Sequence, residues 1–406
     1  MRILHFADAH IDMANFGRID PESALPVRVM DFIRSLDTIV DTAVEQNVDL
    51  VIFAGDAYKD RNPQPTFQKA WGSRIMRLSE ARIPTLLLLG NHDVTPAVGR
   101  ANTLQEFTTL KVPGVIVADT IDLLAPDKLG IPIQIITLPW ISRAQLLSRD
   151  ETARLNIDEI YALLERRISH RIDGLVDRAD ASMPLIITAH VSVRGALYGV
   201  ERTVMLGSEF NLDRSQLCDP RFDYVALGHI HRHQSINGAH HPPVIYPGSI
   251  ERVDFGEIGE EKGFVIAEVT KGKSSWAFIP LPTRRFVDIK VRGHTAESLM
   301  SDIFDQLPDP DNLEGAICRL QLTYPRDWES IIDEKIIHQH FKPALSFKIL
   351  KHRLEGARVR LGEIDSIESL APLDLLAEYW KTIGLDEPES IVLQQLAGEI
   401  LSDEIW

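Results

Sequence analysis

Three apolar runs, each followed by side chains that carry an oxygen or an imidazole, decide the fold of this chain. They read ILHFADAH at residues 3–10, LVIFAGDAYKD at residues 50–60 and LLLLGNHD at residues 86–93. Short apolar runs bounded by glycine or polar residues are typical of buried strands. Between the first two runs, apolar residues recur at steps of three and four from Val29 to Ala43, which predicts an amphipathic helix. Strands that alternate with helices indicate an α/β layered domain.

The same pattern continues through the first 280 residues. Strands are expected at residues 3–6, 50–53, 85–89, 133–137, 185–189 and 224–227. A second helix, rich in arginine and glutamate, is expected at residues 157–176. The runs VIYPGSI, GFVIAEV and WAFIPL, between residues 244 and 281, predict successive antiparallel strands that close a second sheet.

Prolines near residues 280–285 interrupt this pattern and mark an expected domain boundary. We expect residues 1–283 to form a two-sheet α/β sandwich flanked by helices, and residues 284–353 to form a small α/β domain. Residues 354–406 are expected to contain a linker and two helices, near 366–382 and 389–402, that carry many large apolar side chains. Such helices need a partner surface, either on their own domain or on another protein.

The composition is that of an ordinary globular protein with two or three domains. The 406 residues are 44% hydrophobic and 25% charged. No stretch approaches about 20 uncharged apolar residues, and no basic region precedes an apolar run at the start. We therefore expect a cytoplasmic protein without a membrane partner. The two cysteines, Cys218 and Cys318, are too few for a disulfide framework or a thiolate zinc site.

The net charge of −16 is concentrated at the C-terminal end of the chain. Residues 363–406 contain eleven acidic residues and one basic residue, Lys381, and so carry −10 of this charge. The other residues together carry only −6. This part of the chain is compatible with a polyanionic partner if bound divalent cations make its active face positive.

Residues that can bind a metal ion follow five of the predicted strands. They are Asp8, His10, Asp56, Asn91, His190, His229 and His231, and His92 lies beside Asn91. The carboxyl ends of strands in an open α/β sheet line one crevice, so we expect these side chains to meet there. A single Asp-x-His or Gly-Asp is common, but the four motifs DAH, GDAYKD, GNHD and GHIH in this order are specific. His5, inside the first strand, is expected to be a core residue.

Seven donors of this kind exceed the needs of one tetrahedral zinc ion and suit two ions that share a carboxylate. Oxygen and imidazole ligands without thiolate favour manganese, iron or zinc over copper. Two divalent ions can clamp a phosphate and lower the pKa of a water molecule that then attacks phosphorus. The expected reaction is therefore hydrolysis of a phosphate ester, with His92 available to stabilise charge or to protonate the leaving oxygen.

These motifs resemble the calcineurin-like metallophosphoesterase superfamily, whose pattern is D-x-H, G-D-x-x, G-N-H-[DE], H and G-H-x-H. The resemblance implies two sets of ligands that share Asp56 as a bridge and leave His92 as the catalytic histidine. The first set is Asp8, His10, Asp56 and His231. The second set is Asp56, Asn91, His190 and His229.

Residues 246–269, YPGSIERVDFGEIGEEKGFVIAEV, are similar to the segment after G-H-x-H in the SbcD family of DNA-repair nuclease subunits. This resemblance implies a manganese-dependent nuclease in DNA repair, recombination and replication, with exonuclease activity on double strands and endonuclease activity on single strands. It also implies a homodimer within a heterotetramer that contains an SbcC-like coiled-coil ATPase. Residues 284–353 would then face DNA, and residues 354–406 would dock on the ATPase.

Basic residues next to the motifs are expected to contact the substrate backbone. They are Lys59, Arg61, Arg194, Arg232 and Arg252. Lys59 stands three residues after Asp56, where archaeal and eukaryotic relatives carry a histidine. The resemblance therefore does not extend to the assistance that such a histidine gives to His92, and a phosphate contact by Lys59 is the alternative role.

Two other functions are compatible with these residues. One is a phosphodiesterase or phosphatase that acts on nucleotides or phosphoproteins, because the two metals can handle any phosphoryl group. The other is a scaffold that keeps the fold without turnover. The scaffold is disfavoured because a protein without catalysis has no physical need for seven ligands and an additional histidine.

Overall fold

The structure is a computed structural model that describes residues 1–94, 101–141, 147, 155–199, 210–354, 372–382 and 385–402. Its described residues divide into two compact units. The first unit lies within Met1–Asp288, Pro308–Arg319 and His340–Lys348, and the second within Ile289–Leu307, Leu320–Gln339 and Ile349–Trp406. In the part of the chain that the structure describes, no helix has the length and apolar character that a membrane crossing requires.

The described residues contain seventeen strands. These are β1 Arg2–Phe6, β2 Leu50–Phe53, β3 Thr85–Leu88, β4 Val115–Ala118, β5 Asp122–Leu124, β6 Gln134–Leu138, β7 Leu185–His190, β8 Ser192–Val193, β9 Asn211–Leu212, β10 Tyr224–Gly228, β11 Gln234–Ser235, β12 Val244–Tyr246, β13 Gly263–Thr270, β14 Lys273–Pro280, β15 Phe286–Arg292, β16 Ile317–Pro325 and β17 Ser346–Leu354. The α-helices are α1 Val27–Glu45, α2 Pro65–Glu80, α3 Gln105–Thr109, α4 Pro126–Leu129, α5 Ile157–Val176, α6 Arg214–Leu217, α7 Leu299–Phe304, α8 Glu334–His340, α9 Pro372–Thr382 and α10 Glu387–Ser402.

Two six-stranded sheets form the body of the first unit. The first sheet has the order β14-β13-β1-β2-β3-β4, and the second has the order β11-β12-β10-β7-β6-β5. Strands β1 to β4 are parallel to one another, and so are β6, β7, β10 and β12. Every residue of β2, β3, β6, β7 and β10 is buried, as expected for parallel strands covered on both faces. All six predicted strands are present, with ends within one residue of the prediction.

The prediction for residues 244–281 is confirmed in part, because β13 and β14 are antiparallel neighbours, but the three runs do not lie in one sheet. The strand β12 joins the second sheet beside β10, whereas β13 and β14 form a hairpin that extends the first sheet along β1. Apolar periodicity identifies a strand but does not identify its neighbour, because pairing is decided by which sheet face the chain reaches.

Alternation along the strands divides the apolar side chains into three layers. Ile3, Ile52 and Ile135 belong to the core between the two sheets. Leu4 and Phe53 point to the opposite face of the first sheet, where they meet residues of α1 and α2 in a second core. A third core joins the second sheet to α5. The chain is therefore the two-sheet sandwich flanked by helices that the sequence predicts.

Helix α5 begins and ends where the sequence predicts. Asn156 precedes it and accepts a hydrogen bond from the Glu159 backbone N–H at 2.9 Å, while the Glu159 carboxylate accepts one from the Asn156 N–H at 2.8 Å. This reciprocal capping satisfies two N–H groups that the helix itself leaves without partners.

A smaller sheet and the C-terminal helices follow the sandwich in the sequence. Strands β15, β16 and β17 form a three-stranded sheet in that order. Helices α9 and α10 pack against each other. They correspond to the two helices expected near 366–382 and 389–402. Residues 366–371 lie outside the described residues. The side chains of Ile391, Leu396 and Ile400 on α10 are exposed, and Trp380 on α9 is buried.

Candidate metal centre

The predicted metal-binding residues lie at the carboxyl ends of five strands that belong to two sheets. Strands β1, β2 and β3 of the first sheet lead to Asp8 and His10, to Asp56, and to Asn91. In the second sheet, His190 ends β7, and the pair His229 and His231 follows β10. The sequence predicts a crevice along a single open sheet. The structure instead places the crevice at one edge of a sandwich of two sheets.

All seven side chains meet in this crevice. The Nε2 atoms of His10 and His231 are 3.1 Å apart. The Oδ1 atom of Asn91 lies 3.0 Å from His190 Nε2 and 3.0 Å from His229 Nδ1. The two remaining members of the set are the carboxylates of Asp8 and Asp56, which are both buried.

The two carboxylates lie at the centre of the cluster. Asp56 Oδ2 is 3.5 Å from His190 Nε2 and 3.9 Å from His10 Nε2, so it reaches both halves of the set. Potential metal-binding atoms lie within 4.8 Å of one another in two triplets that share Asp8. These triplets are Asp8, His10 and His231, and Asp8, Asp56 and His190. The geometry therefore offers two adjacent cation positions.

The hydrogen bonds of the histidines fit a bound cation. His10 Nδ1 lies 3.3 Å from the Tyr58 carbonyl oxygen, and His231 Nδ1 lies 2.9 Å from the Glu257 carboxylate. Both acceptors lack a proton, so each Nδ1–H donates, and each Nε2 of the neutral ring presents a lone pair to the other at 3.1 Å. Two facing lone pairs repel unless a cation or a proton lies between them. His190 has the same arrangement, because its Nδ1–H donates to the Ala54 carbonyl at 2.7 Å and its Nε2 is directed into the cluster.

The electrostatics of the cluster also favour a cation. Burial is the largest single effect and opposes the charged forms of both Asp56 and His190, but it is outweighed by the combined attraction between the clustered carboxylates and histidines. This attraction lowers the pKa of Asp56 and raises the pKa of His190 to about 9. A divalent cation can replace the proton that His190 would otherwise hold, because metal binding to imidazole releases that proton.

The backbone at the ligands adopts conformations that non-glycine residues rarely take. Asp8, His10, Asp56 and His229 have φ angles of 51°, 37°, 64° and 101°. Each residue in such a backbone conformation costs about 1–3 kcal/mol of folding free energy, and such residues are concentrated at functional sites. Gly90 is required by close packing, because a Cβ there would lie 2.1 Å from Asp56 Oδ1. The loops are thus held in a strained arrangement that aims the ligands inward.

Asp93 is a site residue that the sequence motif contained without an assigned role. Its buried carboxylate accepts hydrogen bonds from the backbone N–H groups of Asp56 at 2.8 Å and Gly90 at 2.9 Å. Burial raises its pKa to about 6, with a further rise from the nearby Asp56 charge. Asp93 therefore joins the loop after β2 to the loop after β3. The sequence signal that could have identified Asp93 as a site residue was its position in the GNHD motif.

Two more residues of the site, Glu257 and Lys262, come from the segment after the GHIH motif. Glu257 accepts the hydrogen bond from His231, and Lys262 lies 3.0 Å from the Glu257 carboxylate. Burial raises the pKa of Glu257, but Lys262 and His231 outweigh burial and lower the pKa to about 2. The only signal in the sequence was the likeness of this segment to one family.

The rim of the crevice carries an aromatic side chain that the sequence did not single out. The Trp140 ring lies 5.1 Å from the His229 ring and 6.3 Å from the His190 ring, measured between centroids. Its backbone N–H donates to the Leu89 carbonyl at 2.9 Å, which ties the residue after β6 to the end of β3.

His92 lies beside the cluster without joining it. Its backbone N–H donates to Asp56 Oδ1 at 2.8 Å, and its Nδ1–H donates to the Lys59 carbonyl at 2.7 Å. Its Nε2 lies 3.5 Å from the Lys59 ammonium. Burial lowers the pKa of His92, and Lys59 adds to this effect, whereas Asp56 opposes it. A groove of about 1020 Å³ opens beside His92.

The five basic candidates differ in their surroundings. Lys59 and Arg61 line the groove beside His92. Arg232 is exposed directly after His231. Arg194 pairs with Asp213 at 3.1 Å and with Glu165 at 3.6 Å. Arg252 donates to four protein acceptors, namely Glu257 O, Glu260 O, Thr283 Oγ1 and Arg284 O. These contacts favour structural roles for Arg194 and Arg252.

His5 is a core residue, as predicted. It is buried and bridges the two sheets through Tyr224 OH at 3.0 Å and the Leu227 carbonyl at 3.1 Å. Burial lowers its pKa to about 3, so the ring is neutral.

Comparisons with known proteins identify relatives of this chain. The SbcD component of the SbcCD nuclease from Escherichia coli (strain K12) is 26% identical over 280 residues, which cover 67% of this chain and 66% of that protein. The protein of the same name from Escherichia coli O157:H7 matches equally. The matched region thus spans just under two thirds of these relatives.

Matches to solved structures are more distant in sequence. The protein TT1561 of Thermus thermophilus matches 68% of this chain and 98% of its own, with 15% identity and a TM-score of 0.39. A dimetal phosphatase from Danio rerio matches 69% of this chain and 98% of its own, with 11% identity and a TM-score of 0.37.

A family model described as calcineurin-like phosphoesterase matches residues 1–233. The match covers more than half of the chain and includes all seven clustered residues and His92. The chain belongs to the calcineurin-like phosphoesterase family.

Proposed function

We propose that this chain is the nuclease component of an SbcC/SbcD-type complex and hydrolyses phosphodiester bonds in DNA. The observation that carries the proposal is the convergence of seven oxygen and nitrogen donors in one crevice beside His92. The likeness to the SbcD component of the SbcCD nuclease supports a nuclease over other phosphoesterases. The expected activities are exonuclease on double-stranded ends and endonuclease on single strands.

Two divalent ions fit the donor set. We assign Asp8, His10 and His231 to one ion and Asn91, His190 and His229 to the other, with Asp56 shared. When bound, such ions neutralise phosphate charge and make a water molecule acidic enough to attack phosphorus. Mn²⁺ is the proposed ion, because carboxylate, amide oxygen and imidazole ligands suit it.

His92 supplies the proton chemistry in this proposal. Its bond to the Lys59 carbonyl fixes the Nδ1–H tautomer, so Nε2 is the atom that can exchange a proton with the substrate. A protonated Nε2 can donate to the leaving oxygen as the P–O bond breaks. The contact between its backbone N–H and Asp56 keeps the ring beside the ligands throughout.

The groove beside His92 supports a polymeric substrate. Lys59 and Arg61 line it together with Phe67. Two cationic side chains next to the scissile position can hold phosphates that flank it, and Phe67 adds an aromatic surface. Binding through these cations predicts an affinity for DNA that falls as salt rises.

The C-terminal region supports an ATPase partner. Exposed apolar side chains on α10, among them Leu393, Leu396 and Ile400, have the spacing of one side of a helix and form a surface that favours a protein contact. We propose that residues 354–406 dock on the coiled coil of an SbcC-like ATPase, that residues 284–353 face the DNA, and that two copies assemble into a heterotetramer for DNA repair and recombination.

The test is hydrolysis of two substrates by the purified chain with Mn²⁺. We expect cleavage of both linear duplex DNA and bis-p-nitrophenyl phosphate, loss of both activities with a chelator, and loss of both in the His92→Ala variant. Cleavage of the small ester while DNA stays intact, even after the ATPase partner is added, would exclude the nuclease and favour a phosphatase or phosphodiesterase for smaller substrates.

A further inference from the structure

Lys262 is a fully buried lysine next to the candidate metal centre. Its ammonium donates to the His231 carbonyl oxygen at 2.9 Å and to Glu260 Oε2 at 2.8 Å, and it lies 3.0 Å from Glu257 Oε2. An ammonium group has three protons, and these contacts supply three acceptors. Fully buried lysines are rare unless paired, so the site must stabilise this charge.

The Glu257 carboxylate is held from several sides. Oε1 accepts from His231 Nδ1–H at 2.9 Å, and Oε2 accepts from the Val253 backbone N–H at 2.7 Å in addition to facing Lys262. The carboxylate therefore has little freedom to turn, and its direction determines the direction of the His231 ring.

The main chain of His231 is held as firmly as its ring. Its carbonyl oxygen accepts from Lys262 and from the Ser249 backbone N–H at 3.0 Å. A Cβ on Gly248 would lie 2.6 Å from this oxygen, so the two backbones pack directly on each other. The pair Glu257 and Lys262 thus fixes one residue at both its ring and its backbone.

The turn that carries this pair has separate structural support. The Arg252 guanidinium donates to the carbonyl oxygens of Glu257 at 3.3 Å and Glu260 at 2.8 Å. These bonds use the backbone of the turn, whereas the side chains of Glu257 and Lys262 are directed to His231. The turn therefore has support from Arg252 in addition to the contacts of Glu257 with the Val253 N–H and of Lys262 with Glu260.

We propose that Glu257 and Lys262 are positioning residues that orient His231 as a metal ligand and raise the basicity of its Nε2. A carboxylate that accepts the second N–H of a ligating imidazole increases its affinity for the metal. Lys262 keeps Glu257 from being an uncompensated buried charge. The inference rests on the proposed function, since it needs His231 to bind a metal ion.

The test is calorimetric titration of Mn²⁺ into the full chain and the Glu257→Gln variant. We expect the wild-type chain to bind two ions and the variant to bind one of them about 10- to 100-fold more weakly. At saturating Mn²⁺ the variant should recover most of its kcat, because only the metal affinity is lowered. Glu261→Gln is the matched control, because Glu261 is exposed on the same segment, and we expect its titration to match the wild type.

Equal affinities of Glu257→Gln and wild type for both ions, in a folded variant, would overturn the inference and leave the proposed function intact. A wild-type chain that binds no Mn²⁺ would overturn the proposed function itself. If Glu257→Gln does not fold, the double variant Glu257→Gln with Lys262→Met removes both buried charges together. Failure of both variants to fold would contradict the proposal, because the pair would then serve the fold and not the ligand.

Discussion

The backbone N–H of His92 donates to Asp56, so the ring is placed beside the seven clustered residues, which we propose as the metal ligands. His92 and Asp56 should therefore fail in different ways when they are replaced. Loss of the ring removes a proton donor, whereas loss of the carboxylate removes charge from both cation positions.

We predict that His92→Ala keeps Mn²⁺ binding but lowers phosphoester hydrolysis by about 10² to 10⁴-fold, the usual contribution of a general acid. Steady-state kinetics with bis-p-nitrophenyl phosphate, together with metal titration, measure both quantities. His240→Ala, at an exposed position, is the control. Unchanged turnover in His92→Ala would remove His92 from the mechanism.

We predict that Asp56→Asn weakens the binding of both ions, because Asp56 reaches His10 on one side and His190 on the other. Elemental analysis after dialysis against limiting Mn²⁺ should show less than one ion per chain. A variant that loses one ion and keeps the other at wild-type affinity would show that Asp56 is not shared.

The seven clustered residues could be predicted at this scale because each follows a recognisable strand within a short motif. Glu257 and Lys262 could not, since their contacts with His231 join residues 26 and 31 positions apart in sequence. Asp93 was visible in the GNHD motif, but its hydrogen bonds to the loop of Asp56 depend on β2 and β3 being neighbours.

At the scale of elements, the loops after β2 and β3 approach each other so closely that a single methyl group should disturb them. Gly90→Ala would place a Cβ 2.1 Å from Asp56 Oδ1 and 2.5 Å from its backbone nitrogen. We predict a loss of stability of about 1–3 kcal/mol, accompanied by weaker Mn²⁺ binding.

Chemical denaturation and calorimetric titration measure these two effects. Gly174→Ala is the matched control, because Gly174 lies in α5 and a methyl group added there would have no neighbour within 4 Å among the described residues. If Gly90→Ala has the same free energy of unfolding and the same Mn²⁺ affinity as the wild type, the two loops are not held in tight contact.

Helix α1 is tied to the segment after β14 by a buried ion-pair cluster. Asp31 on α1 binds Arg28 at 2.9 Å and Arg284 at 2.6 Å. Burial raises the pKa of Asp31, but Arg284 and Arg28 outweigh burial and lower its pKa below the ordinary value of 3.8. An acid with a lowered pKa in the folded state adds stability above its ordinary pKa, and this stability is lost as the pH falls below it.

We predict that Asp31→Asn lowers the free energy of unfolding by about 3 kcal/mol at neutral pH, because it removes the carboxylate charge that faces the buried Arg28 and the partly buried Arg284. The difference from wild type should shrink below about pH 4 as Asp31 becomes protonated in the wild type. Urea denaturation at several pH values measures this. The control is Asp41→Asn, which removes an exposed ion pair between Asp41 on α1 and Arg77 on α2. We expect it to change the free energy of unfolding by less than about 1 kcal/mol. A constant difference across pH would contradict the assignment.

The strands and long helices could be predicted because apolar periodicity is a local property of the sequence. Helix α5 matches its predicted bounds, and its capping residues Asn156 and Glu159 are close in sequence. The antiparallel pairing of β13 with β14 could be predicted, but the sheets that β12, β13 and β14 join could not, since nothing in the apolar pattern distinguishes one sheet from the other.

At the scale of the whole molecule, the clustered ligands and the C-terminal helices are assigned to separate tasks. We predict that removal of residues 363–406 leaves Mn²⁺-dependent hydrolysis of the small ester within about twofold of wild type, because all seven clustered residues lie before residue 232. The truncated chain should lose assembly with the coiled-coil ATPase. Size-exclusion chromatography of the mixed proteins measures assembly. A truncated chain that still assembles, or that fails to fold, would contradict this division.

The most direct test is a crystal structure of the chain grown with Mn²⁺ and measured at the manganese absorption edge. We expect two anomalous peaks in the crevice, with Asp56 in contact with both and the four histidines divided between them. Saturating Mn²⁺ with no peak in the crevice, or with the seven side chains turned away from the ions, would contradict a two-metal phosphoesterase.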